Sequence, residues 1–158
     1  MDNFKDVDSK IVIFGMSCVG KTTFAQMLKT HTYLCFDQMF HWHLIETLGL
    51  SIQENLRHIK NQCDNIQNSY VLDGWHLGDN RGLFLPTDAT VYVLWAPYKK
   101  IISQYRIHVS DPEEFRHMYN KWYYETDYKQ FSKVRYFENN IAFQEITQSE
   151  FLLRQNVV

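Results

Sequence analysis

The chain predicts an α/β domain built on a parallel sheet, and three observations carry that prediction. Short apolar runs alternate with longer amphipathic stretches. Two of those runs end on an aspartate, at Asp37 and Asp73. The first run leads through GMSCVGKTT into a helical pattern. Such alternation favours parallel strands with helices on both faces. With 158 residues, 45% of them hydrophobic and 22% charged, there is material for one packed domain spanning 1–158.

Each element follows from its local pattern. Residues 10–14, KIVIF, form an apolar strand, and 21–29 a helix. A short strand over 32–36 ends at Asp37. Residues 38–66 read as two helices divided near Gly49-Leu50-Ser51. A strand over 69–72 ends at Asp73-Gly74, and 74–88, with Gly74, Gly78, Gly82 and Pro86, form a loop. The strand at 90–95 stops before Pro97, and a helix follows to about 107. After a break at 108–111, Asp111 is an N-cap, with Pro112 at the first helical position and Glu114 at the capping-box position. That helix places Phe115, Met118, Tyr119 and Trp122 on one face. Residues 134–137 form a fifth strand, and Ser149 caps a last helix.

The chemistry is concentrated in 11–23, IVIFGMSCVGKTT. Gly15, Gly20, Lys21 and Thr22 complete the pattern G-x4-G-K-[ST], between the strand and the helix that the pattern requires. Such a loop holds an anion because its backbone N–H groups point inward at a helix N-terminus. The expected nucleotide cradle is Gly15, Ser17, Cys18, Val19, Gly20, Lys21, Thr22 and Thr23. Lys21 reaches the β- and γ-phosphates of ATP, and the Thr22 hydroxyl ligates Mg²⁺.

Composition excludes some classes. A net charge of −2 argues against a basic protein that coats nucleic acid. No apolar run has the length of a membrane span. The polar start, MDNFKDVDSK, is unlike a secretory signal. Cys18, Cys35 and Cys63 are odd in number and lack metal-ligand spacing, which fits a reducing cytoplasm. His41 and His43 lie two apart and face different sides of a helix, so HWH is a poor zinc site. Aromatics at 16% fill a small core or stack on bases.

The chain resembles the P-loop kinase superfamily of nucleoside, nucleotide and polynucleotide kinases. GMSCVGKTT, the aspartate of CFDQMF, VLDGWHLGDNR and VYVLWAPYKKIISQYR carry the resemblance. It implies a three-layer sandwich with five parallel strands in order 2-3-1-4-5, acceptor-binding helices here at about 38–66, and a short arginine-bearing lid at about 106–116. VLDGWHL looks like the DG-aromatic segment of nucleotide kinases but lacks their proline and following arginine. No NKxD-type guanine-reading segment is present, which separates the chain from GTPases. Within the superfamily, size and aromatic richness look most like phage-encoded kinases of nucleotide and DNA modification, one group of which phosphorylates 5-hydroxymethyluracil in DNA. For a phage protein the compartment is the host cytoplasm.

The implied roles fall on named residues. Asp37, at a strand end where ligands gather in open parallel sheets, takes the proton of an acceptor hydroxyl or caps the helix at 38–48. Asp73 holds Mg²⁺ with Thr22 or contacts the acceptor, or is a turn aspartate before Gly74. Arg106 and Arg116 flank the lid as catalytic cations, and Arg81 follows Asp73 on the acceptor side. Phe40, Trp42 and Trp75 line an acceptor-base pocket or pack the core. Were the acceptor DNA, Lys99 and Lys100 would join Arg81 and Arg106 on its backbone. The expected activity is transfer of the ATP γ-phosphate to a hydroxyl or phosphate of a nucleoside, nucleotide or nucleic acid. The alternatives are a non-catalytic nucleotide-binding module and a small-metabolite kinase.

Overall fold

The computed structural model describes residues 6–16, 18–40, 49, 51–75, 84–104 and 111–156. In chain order these form β1 (Lys10–Phe14), α1 (Lys21–Met27), β2 (Thr32–Cys35), α2 (Phe36–Met39), α3 (Ile52–Asp64), β3 (Tyr70–Asp73), β4 (Thr90–Trp95), α4 (Tyr98–Gln104), α5 (Pro112–Tyr124), β5 (Val134–Asn139), β6 (Phe143–Ile146) and α6 (Gln148–Leu153). The sheet order is β2-β3-β1-β4-β5-β6. The first five strands are parallel, in the expected order. A sixth, β6, pairs antiparallel with β5 and was not expected. It is four residues long and follows a short turn, and only Ile146 of its side chains is buried.

Register explains how the two faces are filled. Partners in a parallel ladder point to the same side, and sides alternate along each strand. Ile13 pairs with Asp73 and with Tyr92, and Cys35 pairs with Asp73. These residues share one face, on which Phe24 of α1 packs against Tyr92 and Phe137 at ring separations of 5.9 and 5.3 Å. Phe14 points to the other face, where it stacks on Trp122 of α5 at 5.6 Å. Tyr136 meets Phe151 of α6 on that side at 4.8 Å. The sheet thus lies between helices, and much of the aromatic content fills its core.

Several boundaries differ from the sequence expectation. β2 stops at Cys35, and Cys35 is the N-cap of α2, so Asp37 lies in a helical first turn. Ser51 caps α3 by accepting from the Glu54 N–H. Asp111, by contrast, caps α5 as expected, through the N–H groups of Glu113 and Glu114, with Pro112 opening the helix. The buried stripe of α5 is Phe115, Tyr119 and Tyr123, and Met118 is exposed. The cap of α6 is Thr147, not Ser149, because Thr147 and Glu150 form a reciprocal capping box. The predicted lid at 106–116 is helical from Pro112 onward. No helix among the described residues is long and apolar enough to cross a membrane.

Candidate active site

Parallel pairing puts the carboxyl ends of β1, β2 and β3 at one edge of the sheet. The loop after β1 turns back there under tight constraints. A Cβ on Gly15 would lie 2.8 Å from the Leu94 carbonyl oxygen and 2.9 Å from Val19 Cγ1. Gly20 has φ +101°, in the left-handed region that glycine enters without strain. Cys18 also adopts positive φ, at 68°. Val19 is fully buried and contributes to the loop through its backbone. Gly20 gives α1 no side-chain cap, so the loop leaves helix N–H groups for an anion to satisfy.

Two supports from distant parts of the chain hold the loop. The Tyr123 hydroxyl accepts from the Met16 N–H at 3.0 Å and donates to the Leu94 carbonyl at 2.7 Å. Asn139 donates its side-chain amide to the Val19 carbonyl at 2.8 Å. Lys100 donates to Asn139 Oδ1 at 3.2 Å and to the Asn140 carbonyl. The expected role of Lys100 on a DNA backbone is therefore corrected: its amine is engaged in holding this turn.

The charged groups converge in a pocket of about 360 Å³ lined by Cys18, Lys21, Thr22, Tyr33, Asp37 and Asp73, with Gly20, Thr23, Cys35 and Gly74 completing it. Lys21 is half-buried, and its amine donates to the carbonyls of Gly15 at 2.7 Å and Met16 at 2.9 Å. Burial pushes the Lys21 amine below the ordinary lysine range, while the Asp73 and Asp37 carboxylates and Cys18 oppose that shift. Asp73 is buried, and its Oδ2 accepts from the Thr22 hydroxyl at 3.0 Å and the Tyr33 hydroxyl at 2.8 Å. Burial and then the Asp73 carboxylate push the Tyr33 hydroxyl up to about 12. Asp37 is exposed on the pocket wall.

The donor set suits Mg²⁺. A hydroxyl and a carboxylate already in contact are hard oxygen donors, and Mg²⁺ characteristically takes one or two protein oxygens and completes its shell with water and phosphate. Thr22 gives its proton to Asp73 and keeps lone pairs for a metal. Among the described residues no cluster of three or more His, Cys, Asp or Glu has metal-site geometry, so the protein's share of the Mg²⁺ shell would be Thr22 and Asp73.

Other expected site residues are placed differently. Phe40 and Trp75 are 5% and 1% exposed and pack against Phe36 at ring separations of 5.4 and 5.2 Å. The expectation that they stack on an acceptor base is corrected: rings sealed in the core offer no face to a ligand. Arg116 lies within α5 with its guanidinium 5.0 Å above the Tyr98 ring, and it does not line the pocket. Ser17, Trp42, Arg81 and Arg106 lie outside the described residues. So do His41 and His43.

Sequence reasoning missed Tyr33, Cys35, Tyr123 and Asn139. The period of two in TYLC was a usable signal, because Tyr33 and Cys35 share the Asp73 side once β2 pairs with β3. Asn139 and Tyr123 act on the loop across 120 and 107 residues, and no local pattern announces that. A larger cavity of about 670 Å³ sits toward the start of β5, lined by Tyr128, Arg135, Glu145 and Thr147 among others. Its Arg135 is already paired with Glu145 and Asp8.

No protein-family model matches the chain, and no curated protein matches it. Its fold is similar to three solved kinases. A shikimate kinase from Acinetobacter baumannii, in complex with shikimate, superposes with TM-score 0.59 at 18% identity, covering 94% of this chain and 89% of that one. A sugar kinase from Janibacter sp. HTCC2649 gives 0.58 at 16% identity, over 82% and 84%. A gluconokinase from Sinorhizobium meliloti 1021 gives 0.57 at 12% identity, over 92% and 88%. At these identities the likeness is one of fold, and the chain has the α/β fold of these small P-loop kinases.

Proposed function

We propose that this protein is a kinase that transfers the ATP γ-phosphate to a hydroxyl of a small-molecule acceptor. One observation carries the reading: Lys21 and Thr22 of the phosphate loop meet two carboxylates, Asp73 at the end of β3 and Asp37 in the first turn of α2, in a single pocket. Lys21 exchanges its two carbonyl partners for phosphate oxygens. Thr22 and Asp73 hold Mg²⁺, which neutralises charge on the β- and γ-phosphates. Asp37, exposed on the pocket wall, orients the acceptor hydroxyl and accepts its proton. Arg106 remains the proposed lid cation.

A small acceptor is favoured over a nucleic acid on two grounds. Phe40 and Trp75, two of the three rings expected to stack on a base, are buried. The pocket has the scale of a small-molecule site. The fold relatives are named for shikimate, gluconate and sugar phosphorylation, and this supports the same preference. The 5-hydroxymethyluracil reading keeps no supporting contact among the described residues.

The test is ADP release measured against a panel of acceptors. The panel holds polyols and hydroxy acids such as shikimate and gluconate, hexoses, nucleosides, nucleotides, and oligonucleotides with and without hydroxymethyl groups. Turnover with a small polyol or hydroxy acid supports the proposal. Transfer to oligonucleotides alone would restore the DNA reading. Tight Mg·ATP binding with no acceptor-dependent ADP from any of them would make the protein a nucleotide-binding module.

A further inference from the structure

We infer that Tyr33 is a positioning residue for the metal end of the site, acting through Asp73. The inference rests on the kinase reading only for its nucleotide and Mg²⁺, and not on the identity of the acceptor. Tyr33 is 42% exposed, on the edge strand β2, yet its hydroxyl reaches inward to Asp73 Oδ2 at 2.8 Å. The Thr22 hydroxyl donates to the same oxygen at 3.0 Å. Two donors on one oxygen fix the rotation of the carboxylate about its last torsion, which is otherwise broad. Both hydrogen bonds that described residues give the carboxylate use Oδ2, which leaves Oδ1 to a metal-bound water. With Asp73 held, the Thr22 proton has a fixed acceptor and its lone pairs keep a fixed direction.

Tyr33→Phe removes the hydroxyl and keeps the ring. Without it Thr22 is the donor that remains to the carboxylate among the described residues, and the pre-formed pair that receives Mg²⁺ loosens. The nucleotide cradle itself, made among the described residues by the backbone of 15, 16 and 18–20 and the Lys21 amine, is untouched.

The experiment is a fluorescence-anisotropy titration with an N-methylanthraniloyl ADP probe, in Mg²⁺ and in EDTA. It compares the wild type, Tyr33→Phe, Asp73→Asn and the double variant. The expected result is that Tyr33→Phe reduces the gain in affinity from Mg²⁺ by about tenfold, the scale of one hydrogen bond to a charged group. Affinity in EDTA stays within about twofold, because the loop is intact. Asp73→Asn removes the Mg²⁺ gain, and adding Tyr33→Phe to it changes nothing more. An unchanged Mg²⁺ gain in Tyr33→Phe would overturn the inference. So would equal losses with and without Mg²⁺, or a further independent loss in the double variant. If the wild type binds no ADP under either condition, the kinase reading falls and takes the inference with it.

Discussion

The two ends of the sheet treat charge in opposite ways. At the amino end, Arg135 is closed into an ionic network. Its guanidinium bonds Glu145 through Nε at 2.7 Å and Asp8 through NH1 at 2.9 Å, and lies over the Tyr92 and Phe137 rings. Tyr92 completes the network by donating to Asp8 at 2.6 Å. At the carboxyl end, the partners among the described residues are carbonyls for Lys21 and hydroxyls for Asp73. The difference teaches where chemistry is possible. Opposite charges that neutralise each other contribute to the fold and are not released to a ligand. Charges held by neutral partners are ordered in advance, and a phosphate or a metal can displace or join those partners at small cost.

The sharpest way to break the comparison is at the charged groups of the carboxyl end. Lys21→Ala is expected to lower turnover by about a hundredfold or more, the usual effect of losing one preorganised charge contact. The thermal midpoint should hold or rise slightly, because burial already disfavours the charged amine. Initial ADP-release rates with saturating Mg·ATP, together with a melting curve, check both halves. Near-normal turnover would mean that Lys21 only braces its loop.

Asp37→Asn comes next. General-base catalysis contributes about 10²–10⁴-fold, so acceptor phosphorylation should fall by at least about a hundredfold. ADP affinity should not change. The N-cap of α2 is Cys35, so the substitution removes no cap, and stability should stay within about 0.5 kcal/mol. Loss of nucleotide affinity with surviving acceptor turnover would move Asp37 to the nucleotide side.

The amino end should show the converse. Arg135→Ala is expected to cost about 1–2 kcal/mol in urea denaturation, discounted because Glu145 and Asp8 are partly exposed. ADP affinity should not change. Burial alone would raise the Asp8 carboxyl, but hydrogen bonds from Tyr92 and Arg135 outweigh it and hold the group below its ordinary 3.8. A depressed carboxyl contributes stability that is present above its unfolded value and is lost as pH falls through the folded one. The wild type should therefore lose this contribution below about pH 4, and Arg135→Ala should show a shallower acid limb. Equal acid limbs in the two proteins would place the stabilisation elsewhere.

How much of this was legible in the sequence depends on range. The phosphate-loop pattern was legible, because IVIFGMSCVGKTT carries strand, turn and helix start within 13 residues of chain. The parallel order of five strands followed from alternation plus resemblance. Asp37 and Asp73 were found because each ends an apolar run. Tyr33 was not found, because its role exists only once the register Tyr33↔Val71 and Cys35↔Asp73 is set. Phe40 and Trp75 were left between ligand and core because an aromatic close to a site carboxylate in sequence reads the same whether its ring faces a ligand or the core. Their burial against Phe36 decides the matter, and it is a tertiary fact. β6 was missed because four residues with one buried side chain carry too little periodicity.

The smallest effect discriminates the open site from the closed core by thiol chemistry. All three cysteines are free. Cys18 and Cys35 are half-buried and line the site pocket. Cys63 is fully buried in α3, and burial, with Asp64 adding to it, pushes its thiol up to about 12. Only a thiolate attacks a disulfide reagent at an appreciable rate. At pH 8 a chromogenic aromatic disulfide should therefore label Cys18 and Cys35 in the native protein and reach Cys63 only after denaturation. Mg·ADP should slow the site labelling several-fold without altering Cys63. Cys18 should be protected more than Cys35, because it lies within the phosphate loop itself, and Cys18→Ser and Cys35→Ser assign the two phases. Protection of neither would mean that nucleotide does not fill the pocket between α1 and the ends of β2 and β3, and the contrast between the two ends of the sheet would lose its functional meaning.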